Sequence, residues 1–376
     1  MTKRGNDEGS IYKRADGRWA AQVTVEGGVR RYLYAKTRAE AARKLTDALN
    51  ARQEGLPVAS GNTTLAGFLA QWMQDSVQPT VRESTFVGYE VQVRRHIVPH
   101  LGRITLAKLS PQHLQTYYRE RLASGLSPRT VQLQHRILHM AMSAAVKWSL
   151  VPRNVVDLVD APRVARKPVR AFSVEQARQF LTQIADDRLA ALYVLTLATG
   201  LRRGEALALS WDDFDVTRGT IAVRNTLTKV AGGWQLTEPK TEGSRRVIKL
   251  PAFAIEALRV HRVRQLEERL GLGEVWRDTG LIFVTVVGTH IDGTNLLRAF
   301  HRHLTRAGLP AMRFHSLRHS AATLMLALGV QPKVVAEMLG HSRVGITLDV
   351  YSHVLPHLQD EAASRMDGLL GVAQGR

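Results

Sequence analysis

The 376-residue chain contains no cysteine, fewer acidic than basic residues, and no long hydrophobic run. The absence of cysteine excludes disulfides, thiolate zinc fingers, iron–sulfur clusters and a thiol nucleophile, and it is compatible with a reducing cytosol. The longest apolar stretch, residues 189–198, has about half of the roughly 18 residues that a membrane span needs. Polar residues follow residues 1–5, so we expect no secretory signal.

The composition is dominated by a surplus of positive charge. The chain has 52 Lys and Arg residues against 33 Asp and Glu residues, a formal net charge of +19. Residues 1–60 carry +5 of this charge, residues 61–169 carry +8 and residues 170–376 carry +6, so the surplus is not confined to a basic tail. Such a charge favours a polyanionic partner, nucleic acid first and an anionic membrane second. A protein that is simply basic is the alternative.

A chain of this length is predicted to hold two or three domains, because single cores rarely grow beyond roughly 250–300 residues. The first part, residues 1–56, combines three strand-like segments with one helix. Asp16-Gly17 is a hairpin-turn signal, and Thr37 with Glu40 forms a capping box for the helix. We expect a small α+β domain with a three-stranded sheet that enters a DNA groove; a solvated basic face is the alternative. Its candidate DNA-binding residues are Lys13, Arg14, Arg18, Arg30 and Arg31.

The second part, residues 63–160, is predicted to be all-α. Ser110-Pro111 and Ser127-Pro128 are typical of a helix N-cap followed by proline in the first helical position. Basic residues on the polar helix faces and in the following linker favour a DNA clamp, with a solvated surface as the alternative. The candidate DNA-binding residues are Arg94, Arg95, Arg129, Arg166 and Lys167.

The third part, residues 171–376, is predicted to be mainly α with a small antiparallel sheet. Four of its segments combine the residue types of phosphoryl chemistry. Arginine forks grip phosphate oxygens, lysine and histidine transfer protons, and a tyrosine hydroxyl becomes a nucleophile once its pKa of about 10 is offset. Metal ligands are poorly supplied. The segments are Thr-Gly-Leu-Arg-Arg-Gly-Glu at 199–205, Pro-Lys-Thr at 239–241, His-Ser-Leu-Arg-His at 315–319, and Leu-Gly-His-Ser at 339–342 followed by Tyr351.

These four boxes, with their order and spacing, resemble those of the tyrosine recombinase (phage integrase) family. The boxes cover residues 170–376, and the whole chain resembles the three-domain integrases of bacteriophages and integrative elements. The resemblance implies an arm-type-site DNA-binding domain, a core-binding helical domain and a catalytic domain. It also implies a site-specific recombinase that cleaves and rejoins DNA strands through a 3′-phosphotyrosyl intermediate, to integrate or excise a mobile element.

The resemblance implies a role for each box residue. Tyr351 would attack the phosphodiester, two arginines would hold its non-bridging oxygens, and Lys240 would protonate the leaving 5′-oxygen. His315 would accept the tyrosine proton, and His341 would donate a hydrogen bond to the phosphate. Glu205 would orient the arginines; an ordinary helix-surface carboxylate is the alternative. The implied catalytic set is Arg202, Lys240, His315, Arg318, His341 and Tyr351, with Glu205 in support.

The implied partners follow from the same resemblance. The enzyme would bind double-stranded attachment sites as a homotetramer, with a host DNA-bending factor and a directionality factor as candidate partners, and without a membrane. It would need neither metal nor ATP, and it would act in the cytoplasm of a bacterial host, on the nucleoid. The apolar tail at 355–370 either packs on its own domain or docks on a neighbouring protomer.

Two other interpretations account for part of the sequence. A transcription regulator would use residues 331–351 as a helix–turn–helix with Gly340 in the turn, but it leaves Arg202, Lys240 and Tyr351 without a role. A type IB topoisomerase uses similar chemistry to relax supercoils. The separate N-terminal sheet domain favours site-specific recombination.

Overall fold

The computed structural model of the chain describes residues 9–24, 30–53, 63–165, 170–230, 233–238 and 245–341, together with single positions and pairs between 344 and 370. The chain divides into two compact units, Met1–Arg166 and Lys167–Arg376. The first unit holds two separate hydrophobic cores, one from residues between 11 and 49 and one from residues between 65 and 159. The three domain ranges expected from the sequence stay predictions.

The N-terminal part has the small α+β fold expected from its sequence. Three antiparallel strands lie in the order β1-β2-β3, and apolar residues at alternate positions of β2, such as Ala21 and Val23, face the helix that follows. Thr37 Oγ1 accepts the Glu40 N–H, as expected of an N-cap, while the Glu40 side chain accepts from the N–H of Lys36, one residue before the N-cap, so the expected capping box is formed only in part. The elements are β1 (Ser10–Lys13), β2 (Trp19–Thr24), β3 (Arg30–Ala35) and α1 (Arg38–Gln53).

The second core is all-helical, as expected. Ser110 and Ser127 are the N-caps of the two longer helices, because their hydroxyls accept hydrogen bonds from the N–H groups of His113 and Thr130. Inside the core, Tyr117 donates a hydrogen bond of 2.9 Å to the buried Gln134, so this buried amide has a partner. The helices are α2 (Leu65–Trp72), α3 (Glu83–Gln92), α4 (Val98–Leu101), α5 (Pro111–Ala123) and α6 (Pro128–Lys147); π-helical turns at Met73–Val77 and Val93–Ile97 follow α2 and α3.

The second unit is mainly helical and is built around a buried aromatic cluster. The rings of Phe180, Tyr193, Phe300 and Phe314 lie 5.5 to 6.2 Å apart between centroids, and all four are at most 3% exposed. Tyr193 lies in the helix that precedes the first box, and Phe314 directly precedes the third box, so the cluster supports these two boxes. The helix before the fourth box packs in a separate cluster of Ala322, Leu326, Val335 and Leu339. The helices are α7 (Val174–Gln183), α8 (Ala190–Thr199), α9 (Arg203–Leu207), α10 (Ala252–Leu272), α11 (Gly293–Arg306), α12 (Ser316–Ala327) and α13 (Pro332–Leu339).

The β structure of this unit consists of two small antiparallel sheets. Strands β4 (Phe214–Asp215), β5 (Thr220–Val223) and β8 (Arg246–Lys249) form one sheet, and β6 (Thr226–Val230) pairs with β7 (Gly233–Thr237) in the other. The expected small antiparallel sheet is confirmed, but the sequence did not reveal β6, which begins only two residues after β5. The Lys240 segment therefore connects strands of different sheets, and residues 239–244 lie outside the described part. None of the helices described here is both long and apolar enough to cross a membrane.

Candidate active site

The first box lies where α8 ends and α9 begins. Gly200 ends α8 with a left-handed φ of 69°, and a Cβ at this position would come within 2.3 Å of Leu339 Cδ2. A glycine here therefore allows the turn to pack closely against α13. Arg202 is the N-cap of α9, with its backbone N–H 3.0 Å from Glu205 Oε2 and its Nη1 2.6 Å from Oε1.

Glu205 is the buried centre of the site. It is 3% exposed, and its Oε2 also accepts a hydrogen bond of 2.9 Å from Arg246 Nη2. Burial acts to raise the pKa of Glu205, but the hydrogen bond and charge of Arg246, followed by those of Arg202, hold this pKa below its ordinary value. One ionised carboxylate thus holds two arginines.

The third box joins the first through Arg318. This residue lies in α12, is 2% exposed, and donates a hydrogen bond of 2.8 Å from Nη1 to the carbonyl oxygen of Gly200. His315 is the N-cap of the same helix; part of its side chain is exposed to solvent, while its ring is partly desolvated by the atoms packed around it. Its ring meets that of His319 edge-to-face, with 4.9 Å between centroids.

The fourth box is attached to the first by a backbone contact. Gly340 ends α13 with a left-handed φ of 66°, and its carbonyl oxygen lies 3.3 Å from Arg202 Nη2. The next residue, His341, donates its backbone N–H to Ala336 O at 2.9 Å. The turn therefore brings the half-buried His341 beside the arginines.

The pKa values of His315 and His341 are lowered, which favours neutral imidazoles at pH 7. Burial lowers the pKa of His315 to about 4, with His319, Arg318 and Arg202 in support. The charge of Glu205 acts in the opposite direction and offsets only part of this shift. Burial also lowers the pKa of His341 to about 4, with the charges of Arg318 and Arg202 in support. A neutral imidazole has one nitrogen that accepts a proton and one that donates a hydrogen bond.

The structure thus brings five of the seven expected site residues together: Arg202, Glu205, His315, Arg318 and His341. Lys240 and Tyr351 lie outside the described residues. Among the described residues, no group of three or more His, Asp or Glu side chains is arranged to hold a metal ion.

Arg246 was missed at the sequence level. It lies at an alternate position of β8, on the same face as the buried Ile248, while Val247 between them is 69% exposed. Strand alternation places Arg246 on the inward face of β8, and a buried charge needs a partner. This pattern could have marked Arg246 as a residue of the site.

Comparison with known proteins identifies the family. Residues 170–357 match the phage integrase family, and residues 64–122 match the N-terminal SAM-like domain of phage integrases. The chain is 31% identical over 361 residues to a tyrosine recombinase XerC-like protein of Caldanaerobacter subterraneus subsp. tengcongensis, covering 91% of this chain and 92% of the relative. The chain belongs to the phage integrase family.

Solved structures share its fold. The Tn1549 transposon integrase in complex with transposon right end DNA matches with a TM-score of 0.69 and 23% identity, covering 82% of this chain and 99% of that one. A lambda integrase tetramer bound to a Holliday junction matches with a TM-score of 0.60 and 17% identity, covering 89% and 95%.

The protein is therefore a tyrosine-type site-specific DNA recombinase that acts in the integration of a mobile element. This membership decides against the transcription-regulator and topoisomerase interpretations.

The recombinase carries a second candidate surface on its N-terminal sheet. Tyr12 and Tyr34 flank Ala20 on the sheet face opposite α1, and Tyr32 lies two residues from Tyr34, so three tyrosines with exposures of 42–46% share this face. The Arg14 guanidinium lies 4.7 Å from the centroid of the Tyr34 ring. These tyrosines carry no charge and were not among the predicted DNA-binding residues, although strand alternation places them on the exposed face.

The expected DNA-binding residues are mostly at the surface. Arg14 is half-buried, Arg94 pairs with Glu90 at 2.9 Å, and Arg129 donates to Gln132 at 2.8 Å. Nothing is described of the Arg31 side chain or of residues 166–167. The exposed members are Lys13, Arg18, Arg30, Arg94, Arg95 and Arg129.

Proposed function

We propose that Tyr351 is the nucleophile of strand cleavage and that the other box residues serve the same phosphate. The tyrosine oxygen attacks phosphorus, its proton passes to His315, and the P–O5′ bond breaks. Lys240 protonates the leaving 5′-oxygen. The products are a 3′-phosphotyrosyl link and a free 5′-hydroxyl, so all atoms and protons are accounted for.

The arginines support this assignment most strongly. Arg202 and Arg318 are held on the two sides of one turn, since Arg318 binds the Gly200 carbonyl and Arg202 follows two residues later. Two fixed guanidinium groups suit the two non-bridging oxygens, whose negative charge grows in the pentacoordinate transition state. Preorganised donors of this kind each contribute about 10²–10³ in rate.

The neutral histidines support their assigned roles. With a pKa of about 4 in the DNA-free protein, His315 is unprotonated at pH 7 and has a lone pair for the tyrosine proton. His341, equally neutral, donates one hydrogen bond to the phosphate.

We also propose that the reaction needs neither a metal nor ATP. The phosphotyrosyl link conserves the free energy of the broken phosphodiester, so a second 5′-hydroxyl can reverse the attack and complete the strand exchange. Positive side chains supply the charge stabilisation that a metal supplies elsewhere.

The proposed partner is a double-stranded DNA attachment site, bound by four copies of the chain. The related proteins support this, since one is in complex with transposon DNA and another is a tetramer on a Holliday junction. The N-terminal sheet would bind arm-type sites, and the helical part and the linker near Arg166 and Lys167 would bind the core site. A host DNA-bending factor and a directionality factor are proposed accessory partners, and the bacterial cytoplasm is the proposed location.

A nicked suicide DNA substrate tests the proposed chemistry. The nick lets the short leaving strand diffuse away, so the covalent complex accumulates and survives a denaturing gel. Wild type should form this complex with EDTA present and without ATP, and Tyr351→Phe should form none while still binding DNA. An adduct in the phenylalanine variant, or a requirement for a divalent metal, would overturn the proposal.

A further inference from the structure

Arg246 contacts the first box and the turn that carries the fourth box, from a position that is nearly closed to solvent. Its side chain is 7% exposed. Nη2 donates to Glu205 Oε2 at 2.9 Å, and Nε donates to the carbonyl oxygen of Met338 at 2.6 Å. The guanidinium also covers Gly340, where an added Cβ would lie 2.9 Å from Nη1 and 3.3 Å from Cζ. One side chain therefore reaches both the first and the fourth box.

Arg246 and Arg202 divide the Glu205 carboxylate between them. Arg202 Nη1 binds Oε1, whereas Arg246 Nη2 binds Oε2. The Arg202 side chain is 39% exposed and the Arg246 side chain is 7% exposed. Arg202 is thus the member of the pair that an incoming phosphate can reach, and Arg246 balances the buried carboxylate from behind.

The position of Arg246 in the chain adds a third connection. It opens β8 immediately after residues 239–244, the segment that contains Lys240. Its contacts with Met338 and Gly340 lie directly before His341. Arg246 therefore follows the second box closely in the sequence and is in direct contact with the turn that carries the fourth box.

We propose that Arg246 is a positioning residue for strand cleavage, which acts through Glu205 on Arg202 and through the turn at 338–340 on His341. The proposal rests on the catalytic roles assigned above to Arg202 and His341. In this scheme Arg246 acts through the residues that it positions.

Loss of Arg246 should therefore affect the reaction more than DNA binding. Without it, Arg202 is the one cationic partner that Glu205 keeps among the described residues, and the carboxylate draws that guanidinium away from the phosphate. The turn before His341 loses its anchor as well. Small misplacements of reacting groups can cost about 10²-fold in rate, so we expect cleavage by Arg246→Met to be about 10- to 100-fold slower.

The test measures single-turnover cleavage of the suicide substrate at saturating full-length protein, with the affinity for DNA from gel shifts. The rates should fall in the order wild type, Arg246→Lys, Arg246→Met. Lysine keeps a positive charge beside the Glu205 carboxylate, but it cannot donate to the Met338 carbonyl oxygen at the same time. Affinity should stay within about threefold, since nothing in the scheme removes a phosphate contact.

Arg188→Met is the matched structural control. Arg188 is a partly buried arginine of the same unit, with bonds of 2.6 Å and 2.5 Å to Glu268 and one of 2.6 Å to the Val284 carbonyl oxygen. It joins α10 to a loop without box residues. Both methionine variants should melt at lower temperature than wild type, but only Arg246→Met should cleave slowly when folded.

The outcomes separate this inference from the proposed function. An adduct in Tyr351→Phe defeats the proposed function itself. If Tyr351→Phe is inactive but Arg246→Met cleaves at the wild-type rate, or no more slowly than Arg188→Met, the Arg246 proposal fails alone. If Arg246→Met does not fold, folded Arg246→Lys decides, and a wild-type rate in that variant also overturns the proposal.

Discussion

The arginines of the active site and those of the N-terminal sheet carry the same charge in opposite surroundings. Arg318 and Arg246 are buried, and their partners lie 118 and 41 residues away in the chain. The Arg18 side chain is 60% exposed and pairs with Asp16, two residues away. A buried guanidinium requires fixed partners and gains a fixed direction, whereas an exposed one contributes little to folding and remains open to a ligand.

This difference assigns two kinds of work to one net charge of +19. The buried arginines should determine how fast a bound phosphate reacts. The exposed ones should determine how tightly DNA is held and how strongly salt weakens it. Two results would contradict this assignment. One is a change at a buried arginine that mainly weakens DNA binding, and the other is a change at an exposed arginine that mainly slows cleavage.

The largest effect is expected from Arg318. Replacement by methionine removes a fixed donor from the transition state, so single-turnover cleavage should slow by about 10²–10³. Arg318→Lys should recover only part of the rate, because an ammonium cannot bind the Gly200 carbonyl and a phosphate as a planar fork does. Gel shifts should show near-normal affinity, and a variant that loses mainly affinity would contradict the buried half of the comparison.

A smaller effect, on DNA affinity and not on the cleavage rate, is expected from the N-terminal sheet. Arg14→Ala together with Tyr34→Ala removes the stacked pair on the exposed face. Affinity for arm-type-site DNA should fall about tenfold, and the slope of log affinity against log salt should decrease by about 1. Cleavage of a short core-site suicide substrate should be unchanged, and a slower cleavage there would contradict a role of this face in DNA binding alone.

The next prediction concerns how the folding stability of the protein depends on pH, and not its binding or cleavage of DNA. His315 and His341 have lowered pKa values of about 4 in the folded protein, whereas the unfolded chain takes up their protons near pH 6.5. Protonation therefore favours the unfolded state, so stability is full above about pH 6.5 and falls as the pH drops toward 4. Melting temperatures should show this fall, and His315→Asn with His341→Asn should flatten it. An unchanged slope in the double variant would contradict the assignment.

The smallest effect is expected from Arg94, an exposed residue with a single helical ion pair to Glu90. Arg94→Ala should leave the melting temperature nearly unchanged, since such pairs contribute little. Its affinity for core-site DNA should become slightly less salt-dependent. A large loss of stability would show that exposure is a poor guide to the role of an arginine here.

Local features of the fold could be predicted from the sequence. The N-caps Ser110 and Ser127, the turn at Asp16-Gly17 and the helix after Thr37 depend on neighbours within a few residues. The four boxes were also recognisable, because each is a short run of residue types suited to phosphate.

The connections between the boxes could not be predicted. Arg202 meets the Gly340 carbonyl across 138 residues, and Arg246 meets Glu205 across 41. No local pattern contains such pairs, because tertiary packing alone brings them together. The β6 strand was missed for a related reason, since Thr226–Val230 follows β5 after two residues and pairs forward with β7 in a different sheet.

In the proposed reaction, Tyr351 becomes covalently joined to a 3′-phosphate. Mass spectrometry of the trapped complex, after nuclease and protease digestion, tests it most directly. One peptide containing Tyr351 should carry a nucleotide through its 3′-phosphate, and the released strand should have a 5′-hydroxyl. A link to another residue, or to a 5′-phosphate, would contradict it.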